Sequence, residues 1–512
     1  MLLAFDPAVL ATLHSAAIFG IEAYQVQVEV DVSYGLPAFN MVGLPDPSIR
    51  ESRDRVRTAI RNSGFEFPPH RITINLAPAD VRKGGASFDL PIALGVLAAT
   101  GVLRRDRVGD VILLGELSLD GSIQPARGVL PIAVAARRQG FTSLLLPRAN
   151  AHEAAVVDAL RIIPVTSLAE AVDVLHGTVP EPAAPPVPPE RAPSAAAAGD
   201  LAEVRGQLLV KRALEVAAAG GHNVLMIGPP GAGKTMLARR LPGILPPLIF
   251  DEALESTSIH SVCGMLPAGQ ALLGERPFRA PHHTISDVAL VGGGTIPRPG
   301  EISLAHNGVL FLDEAAEFDR RTLEVLRQPL EQGAITIARA ARTAVFPARF
   351  ILVAAMNPCP CGYLGDPTRT CRCTPPEVQR YRGRLSGPLR DRMDLIIDVP
   401  AVPVRALGEP PDGEPSDAVR QRVVRARAAQ TSRLRPHGLR VNADMQGRTI
   451  WRHCRPDPAG QRLLETAIQR FGLSARGYDR VLKVARTVAD LAGSPRVEAR
   501  HLAEALQYRL TE

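Results

Sequence analysis

The stretch that most constrains this chain is NVLMIGPPGAGKTMLARRL, Asn223–Leu241. Asn223 to Ile227 read as a buried strand. Gly228-x-x-x-x-Gly233-Lys234-Thr235 follows, and then a helix. Gly228, Pro229, Pro230, Gly231, Ala232 and Gly233 form a loop whose backbone N–H groups are predicted to curl around phosphate oxygens. The helix N-terminus adds partial positive charge. Lys234 is expected to reach the β- and γ-phosphates, and the Thr235 hydroxyl to ligate magnesium. A chance glycine-rich turn would not need a strand before it and a helix after it.

GVLFLDEAAEF supplies a second half. Val309–Leu312 read as a buried strand ending in Asp313-Glu314. Asp313 is expected to hold the magnesium through water. Glu314 is expected to orient and deprotonate the attacking water, which makes the chain an ATP hydrolase rather than a switch. A third strand, RFILVAAMN, ends at Asn357, whose amide can position the lytic water or sense the γ-phosphate. An asparagine at a strand end is ordinarily a turn residue; as the third strand of one core it becomes a candidate sensor. Arg392, in SGPLRDRMDLIIDVP, stands where ring ATPases carry an arginine that reaches the neighbouring subunit's γ-phosphate. Arg476, in LSARGYDRVLKVARTVADLA, could contact the same phosphate from a lid. The plainer reading of both is a solvated surface arginine.

A chain of 512 residues is too long for one core, which predicts several domains. TVPEPAAPPVPPERAPSAAAAGD is proline-rich and poor in bulky apolar residues, so residues 178–199 read as an extended spacer. Before it, residues 1–177 mix β-rich runs (YQVQVEVDVS, RITINLAP, DVILLGELSLDG) with helical ones (DPSIRESRDRVRTAIRNSG, LPIALGVLAAT), an α+β or α/β pattern. After it, short buried strands alternate with helices over 200–400, and 401–512 reads as almost wholly helical. The net charge of +7 is carried by the part from Ala401 onward. A basic module suggests a polyanion, most often nucleic acid, although an arginine-rich coding bias would give the same surplus. Aromatic content of 4% with one tryptophan, Trp451, argues against base-stacking platforms. The N-terminus lacks a basic n-region and no apolar run can span a bilayer, so a cytoplasmic protein without membrane contact is expected.

Four of the six cysteines lie in MNPCPCGYLGDPTRTCRCTP, as the pairs Cys359/Cys361 and Cys371/Cys373. Two close thiolate pairs can surround one structural zinc, although one intervening residue is tighter than the usual spacing. Burial of small apolar thiols and redox pairing are the other readings. Gly362, Gly365 and Pro367 supply turns. Cys263 and Cys454 read as packing, and His282-His283 as shaping a loop rather than as a metal pair.

RPFRAPHHTISDVALVGGG, PRPGEISLAHNGVLFLDEAAEF, NPCPCGY and YRGRLSGPLRDRMDL together resemble the magnesium-chelatase-like AAA+ ATPases, in their ComM/YifB branch. GLPDPSIRESRDRVRTAI, RITINLAPADVRKGGASFDLPIALGVL and LGELSLDGSIQPARGVLP fit the same branch, so the resemblance covers almost the whole chain. It implies a Lon-protease-like N-terminal domain, a P-loop AAA+ core with a parallel sheet, a helical lid and a homo-hexameric ring. It also implies a DNA helicase that drives branch migration in natural transformation and recombination. A Lon-type site needs a serine with a lysine base. The alignment places Ala86 at the nucleophile, with Ser87 next to it, and Leu130 at the lysine, so the N-terminal domain is expected to be non-catalytic. EQGAITIARAARTAVFPARF reads as a hairpin between the Asp313 and Asn357 strands. The resemblance points its tip into the ring pore, where Arg339 and Arg342 would meet the phosphates of single-stranded or branched DNA. The rival readings are a motor subunit of a metal-chelatase complex, a protein-remodelling ATPase and an ATP-dependent protease.

Overall fold

The computed structural model describes residues 9–44, 47–79, 83, 87–180, 199–267, 269–294, 297–338, 343–366, 369–401 and 413–509. The proline-rich spacer lies almost entirely outside these. So do Ala86, Arg339 and Arg342.

The N-terminal part is built on a seven-stranded sheet. Across it the strands run Ala38–Val42, Arg71–Ala77, Glu22–Ser33, Val9–Phe19, Val111–Leu113, Ser143–Pro147 and Arg161–Val165. The Glu22–Ser33 strand is antiparallel to both of its neighbours, whereas the last three pairings are parallel. Its sequence explains its placement: Val26, Val28, Val30 and Val32 all point to the buried face, two residues apart. The helix Asp89–Ala99 is buried along its whole length, as expected of a helix that is apolar all round. It lies so close to the sheet that a Cβ on Gly95 would come 2.6 Å from Val30 Cγ2. Leu130 is fully buried on the helix Val129–Arg138, so no lysine base stands at that position.

The central part holds a five-stranded, wholly parallel sheet in the order Phe278–Arg279, Val309–Leu312, Ile351–Met356, Val224–Ile227, Leu395–Asp398. Val309–Leu312 and Ile351–Met356 are buried at every residue, as strands covered on both faces must be. One face packs with the helices Leu208–Gly220 and Lys234–Ile244 and continues into the C-terminal helices Ser416–Leu434, Pro458–Phe471, Ala475–Leu491 and Ala499–Gln507 as one hydrophobic cluster. The other face covers Leu310, Leu312, Leu352 and Ala354 with the loops and short helices around Phe318, Leu326 and Leu389. At the sheet edge Ile396 donates its N–H to the carbonyl of Tyr508, 2.7 Å away. The fold is therefore a P-loop AAA+ core with a Lon-protease-like domain before it and a helical lid after it.

The N-terminal part rests on the core in two places. Gly128 donates its N–H to Ser261 O (3.0 Å), and the Ser261 hydroxyl donates to the buried Glu153 carboxylate (2.7 Å). Burial raises the pKa of Glu153, more than its bonds from Ser261 and Asn150 lower it. The turn Phe19–Gly20–Ile21 packs against the hairpin formed by Ala334–Ala338 and Thr343–Pro347, with the Cβ position of Gly20 3.3 Å from Ala344 Cβ. The hairpin is present where the alternating pattern places it, and its tip lies outside the described residues.

Candidate nucleotide site

The phosphate loop leaves the Val224–Ile227 strand between two other strand ends. Gly228 donates its N–H to Met356 O at 3.2 Å, and Val399 donates its N–H to Ile227 O at 2.7 Å. A Cβ on Gly228 would stand 2.2 Å from Val399 O, so only glycine fits where these backbones converge. Gly231 and Gly233 take φ of +78° and +86°, which turns the loop and starts the helix Lys234–Ile244.

Lys234 is folded over the loop. Its Nζ donates to Gly228 O (2.7 Å), Pro229 O (2.9 Å) and Asn357 Oδ1 (3.1 Å). Burial lowers its pKa, against the opposing pull of Asp313 and Glu314. Thr235 Oγ1 donates to Asp313 Oδ2 at 2.6 Å, and Asp313 Oδ1 accepts from the N–H of Glu314 at 3.0 Å. A hydroxyl and a carboxylate this close are hard oxygen donors that fit a magnesium ion carrying water and phosphate ligands. Glu314 sits at φ +50°, a conformation few non-glycine residues adopt. Its carboxylate is exposed, and His283 Nδ1 lies 3.9 Å from it. Strain at such a point is a mark of functional sites. Lys234, Thr235, Asp313, Glu314 and Asn357 are thus gathered at the carboxyl ends of three adjacent parallel strands.

Arg392 and Arg476 stand outside that group. Arg392 donates to Pro388 O at 2.6 Å and pairs with Glu331, with its side chain largely buried. Arg476, at the start of the helix Ala475–Leu491, is exposed and 3.8 Å from Asp391. The lid helix therefore meets the loop that carries Arg392. Sequence reasoning missed what locks the two parts together. Asp394 accepts from Arg480 (3.0 Å) and from the N–H of Asn223 (3.1 Å), and it lies 3.4 Å from His222 Nδ1. The other nitrogen of His222 is 2.8 Å from Thr487 Oγ1 on the lid. Burial would raise the pKa of Asp394, but His222, Lys483 and Arg480 outweigh it and hold it well below the usual carboxylate range. Burial lowers the pKa of His222, against the raising pull of Asp394.

The cysteine stretch continues directly from Asn357. Cys359 Sγ is 3.4 Å from Cys361 Sγ and 3.7 Å from Cys371 Sγ, and the latter two are 3.6 Å apart. With Cys373 all four sulfurs lie within 4.8 Å of one another, and all are free thiols. Backbone N–H groups of Arg372 and Tyr363 pull Cys361 down to about 6. Gly362, at φ +85°, presses this knuckle on the phosphate loop: a Cβ there would come 2.6 Å from Pro230 Cδ. His282 and His283 stack on each other with ring centroids 4.1 Å apart, and His282 bonds Thr284.

Known proteins match along this whole arrangement. A family model described as magnesium chelatase, subunit ChlI, matches residues 200–407. The models described as subunit ChlI of Mg-chelatase and magnesium chelatase, subunit ChlI C-terminal, match 28–150 and 413–509. The competence protein ComM of Haemophilus influenzae is 46% identical over 509 residues, 98% of this chain and 97% of the relative. The uncharacterized protein YifB of Escherichia coli is 45% identical over 502 residues, again 98% and 97%. A Lon protease of Chloroflexus aurantiacus is 32% identical over 160 residues, 29% of this chain and 19% of the relative. With the parallel core, the phosphate loop and matches that run nearly end to end, the chain belongs to the ComM/YifB branch of the magnesium-chelatase-like AAA+ ATPases.

Proposed function

We propose that this AAA+ ATPase hydrolyses ATP as a homo-hexameric ring and moves DNA through it, as a branch-migration helicase working in the cytoplasm on single-stranded or branched substrates. The observation that carries hydrolysis is the convergence of Lys234, Thr235, Asp313, Glu314 and Asn357. Lys234 leaves the carbonyls of Gly228 and Pro229 to hold the phosphates. Thr235 and Asp313 hold the magnesium, which supplies positive charge to the phosphate oxygens when bound. Glu314 takes the proton of the attacking water, and Asn357 fixes that water or reads the γ-phosphate. Arg392 turns from Glu331 toward the neighbouring subunit's nucleotide, and Arg476 closes from the lid. The units of this reading are 1–177 as a non-catalytic Lon-like domain, 178–199 as spacer, 200–400 as motor and 401–512 as lid.

Three things favour DNA as the partner. The surplus positive charge falls from Ala401 onward. A hairpin precedes the Asn357 strand, with arginines 339 and 342 in its tip sequence. The similar Haemophilus protein is named for competence. No helix among the described residues is long and apolar enough to cross a membrane.

The zinc reading belongs here as well. Four free thiols within 4.8 Å offer the soft, close-set donors that suit a tetrahedral zinc. The metal would fix a knuckle that starts two residues after Asn357 and leans on Pro230.

The deciding measurement is ATP turnover by the full chain with and without DNA. Single-stranded or branched DNA should raise it several-fold. Turnover indifferent to DNA but raised by a porphyrin-metallating partner would favour the chelatase-motor reading, which the family name supports. Turnover raised only by a protein substrate would favour remodelling.

A further inference from the structure

The only tryptophan of the chain is on the surface of the lid. Trp451 is 73% exposed on the short helix Arg448–His453, RTIWRH. A tryptophan left in water this fully forgoes a large burial term. The helix is two-sided: Ile450 enters the core, as does Cys454 just past its end, while Arg448, Trp451 and Arg452 are exposed at i, i+3 and i+4, and the exposed Arg455 follows two residues after the helix. A second segment joins this face. His437 Nε2 is 3.4 Å from His453 Nε2, which brings the exposed Arg435 and His437 beside the helix.

Several other arginines of the lid are ion-paired. Arg420, Arg422, Arg433, Arg440, Arg476, Arg480, Arg486 and Arg500 each have a carboxylate partner. Among the described residues Arg435, Arg448, Arg452 and Arg455 have none. The two acids nearest in sequence are committed elsewhere: Asp444 accepts the N–H groups of Arg440 and Val441, and Asp457 caps the helix Pro458–Phe471 through Gly460.

We propose that this face of the lid grips single-stranded nucleic acid, with a base stacked on Trp451 and phosphates held by Arg448, Arg452, Arg455 and Arg435. The unpaired cations select a polyanion, and the flat exposed ring selects one that carries aromatic faces. A lipid surface fits poorly, because a single apolar side chain on six residues cannot anchor in an interface. The inference rests on the DNA reading above, but it names a contact outside the ring pore that is separately measurable.

The sole tryptophan makes the test direct. An oligothymidylate added to the full-length protein should quench its intrinsic tryptophan fluorescence saturably, and more strongly than the matched duplex does. By anisotropy of a labelled oligonucleotide, Trp451→Ala should bind at least about fivefold more weakly, and Trp451→Phe should stay within about threefold of wild type. Arg448→Ala with Arg452→Ala should lower the logarithmic salt slope by about 1.4. Basal ATP turnover should be unchanged in all three. Normal stimulation of turnover by DNA without quenching, and with undiminished binding by Trp451→Ala, overturns this contact and leaves the DNA reading standing. No binding and no stimulation by any DNA overturns both. Equal quenching by polyglutamate overturns the stacking claim. A change of oligomer size in Trp451→Ala identifies the face as a subunit interface and overturns the proposal.

Discussion

Five side chains meet at three strand ends, and the role proposed for each can be tested by removing it singly. Glu314→Gln keeps the shape of the side chain and one acceptor oxygen but cannot accept the water's proton. It should bind ATP as wild type does and turn over at least ~100-fold more slowly. A phosphate-release assay beside a fluorescent-nucleotide titration measures both, and near-normal turnover would remove Glu314 from the role of base. Most of this site was legible residue by residue. The glycine-lysine-threonine spacing, the Asp-Glu pair after four apolar residues, and the asparagine after FILVAAM each lie within a few residues of a strand end. The contacts that depend on distant segments were not legible. His283 reaches Glu314 across a 31-residue separation, and nothing in HHTIS indicates that one ring will face a strained carboxylate. His222, which follows two glycines in an ordinary stretch, is a buried joint between core and lid.

Among the elements, the cysteine knuckle presses directly on the phosphate loop at Gly362 and Pro230. If a metal holds it, purified protein should contain about one zinc per chain by elemental analysis. Cys371→Ser should lose that zinc and melt at a lower temperature. A metal-free protein whose four thiols all react quickly in the native state would return the cluster to simple packing. The strands of the core could be read because parallel strands covered on both faces are short unbroken apolar runs. The first strand, Val9–Phe19, escaped that reading. Its VLATLHSAAIF holds three alanines, which have little strand preference, and it pairs with Glu22–Ser33 along its whole length. Low aromatic content weighs against base stacking in the sequence, and the exposed Trp451 is where the proposed contact departs from that expectation.

At the scale of the molecule, the proposed ring asks each chain to complete the site of its neighbour. Arg392 is held by Glu331 and Pro388 and touches none of the five residues around Lys234. If it serves the next subunit, Arg392→Ala should bind ATP but hardly hydrolyse it. Mixing that protein with Glu314→Gln should recover part of the activity, because some interfaces then pair an intact finger with an intact base. A mixture as inactive as its parts, under conditions where labelled subunits are seen to exchange, would assign the finger to another residue. The N-terminal domain packs on the core. The turn at Gly20 bears on the hairpin whose tip sequence carries Arg339 and Arg342, so a displacement of that hairpin has a direct mechanical neighbour in the Lon-like domain.

The bond from Ile396 to Tyr508 has a consequence for how the protein comes into being. The sheet that carries the nucleotide site has an edge whose backbone donor is satisfied by a residue more than a hundred positions later. On a ribosome the phosphate loop, the Asp313 strand and the Asn357 strand emerge well before that residue. The core is therefore expected to stay half-assembled, with the hydrophobic face later covered by the lid still open to water, until the lid helices have emerged. Translation speed through the lid, and chaperone occupancy during that interval, become determinants of how much working motor a cell obtains.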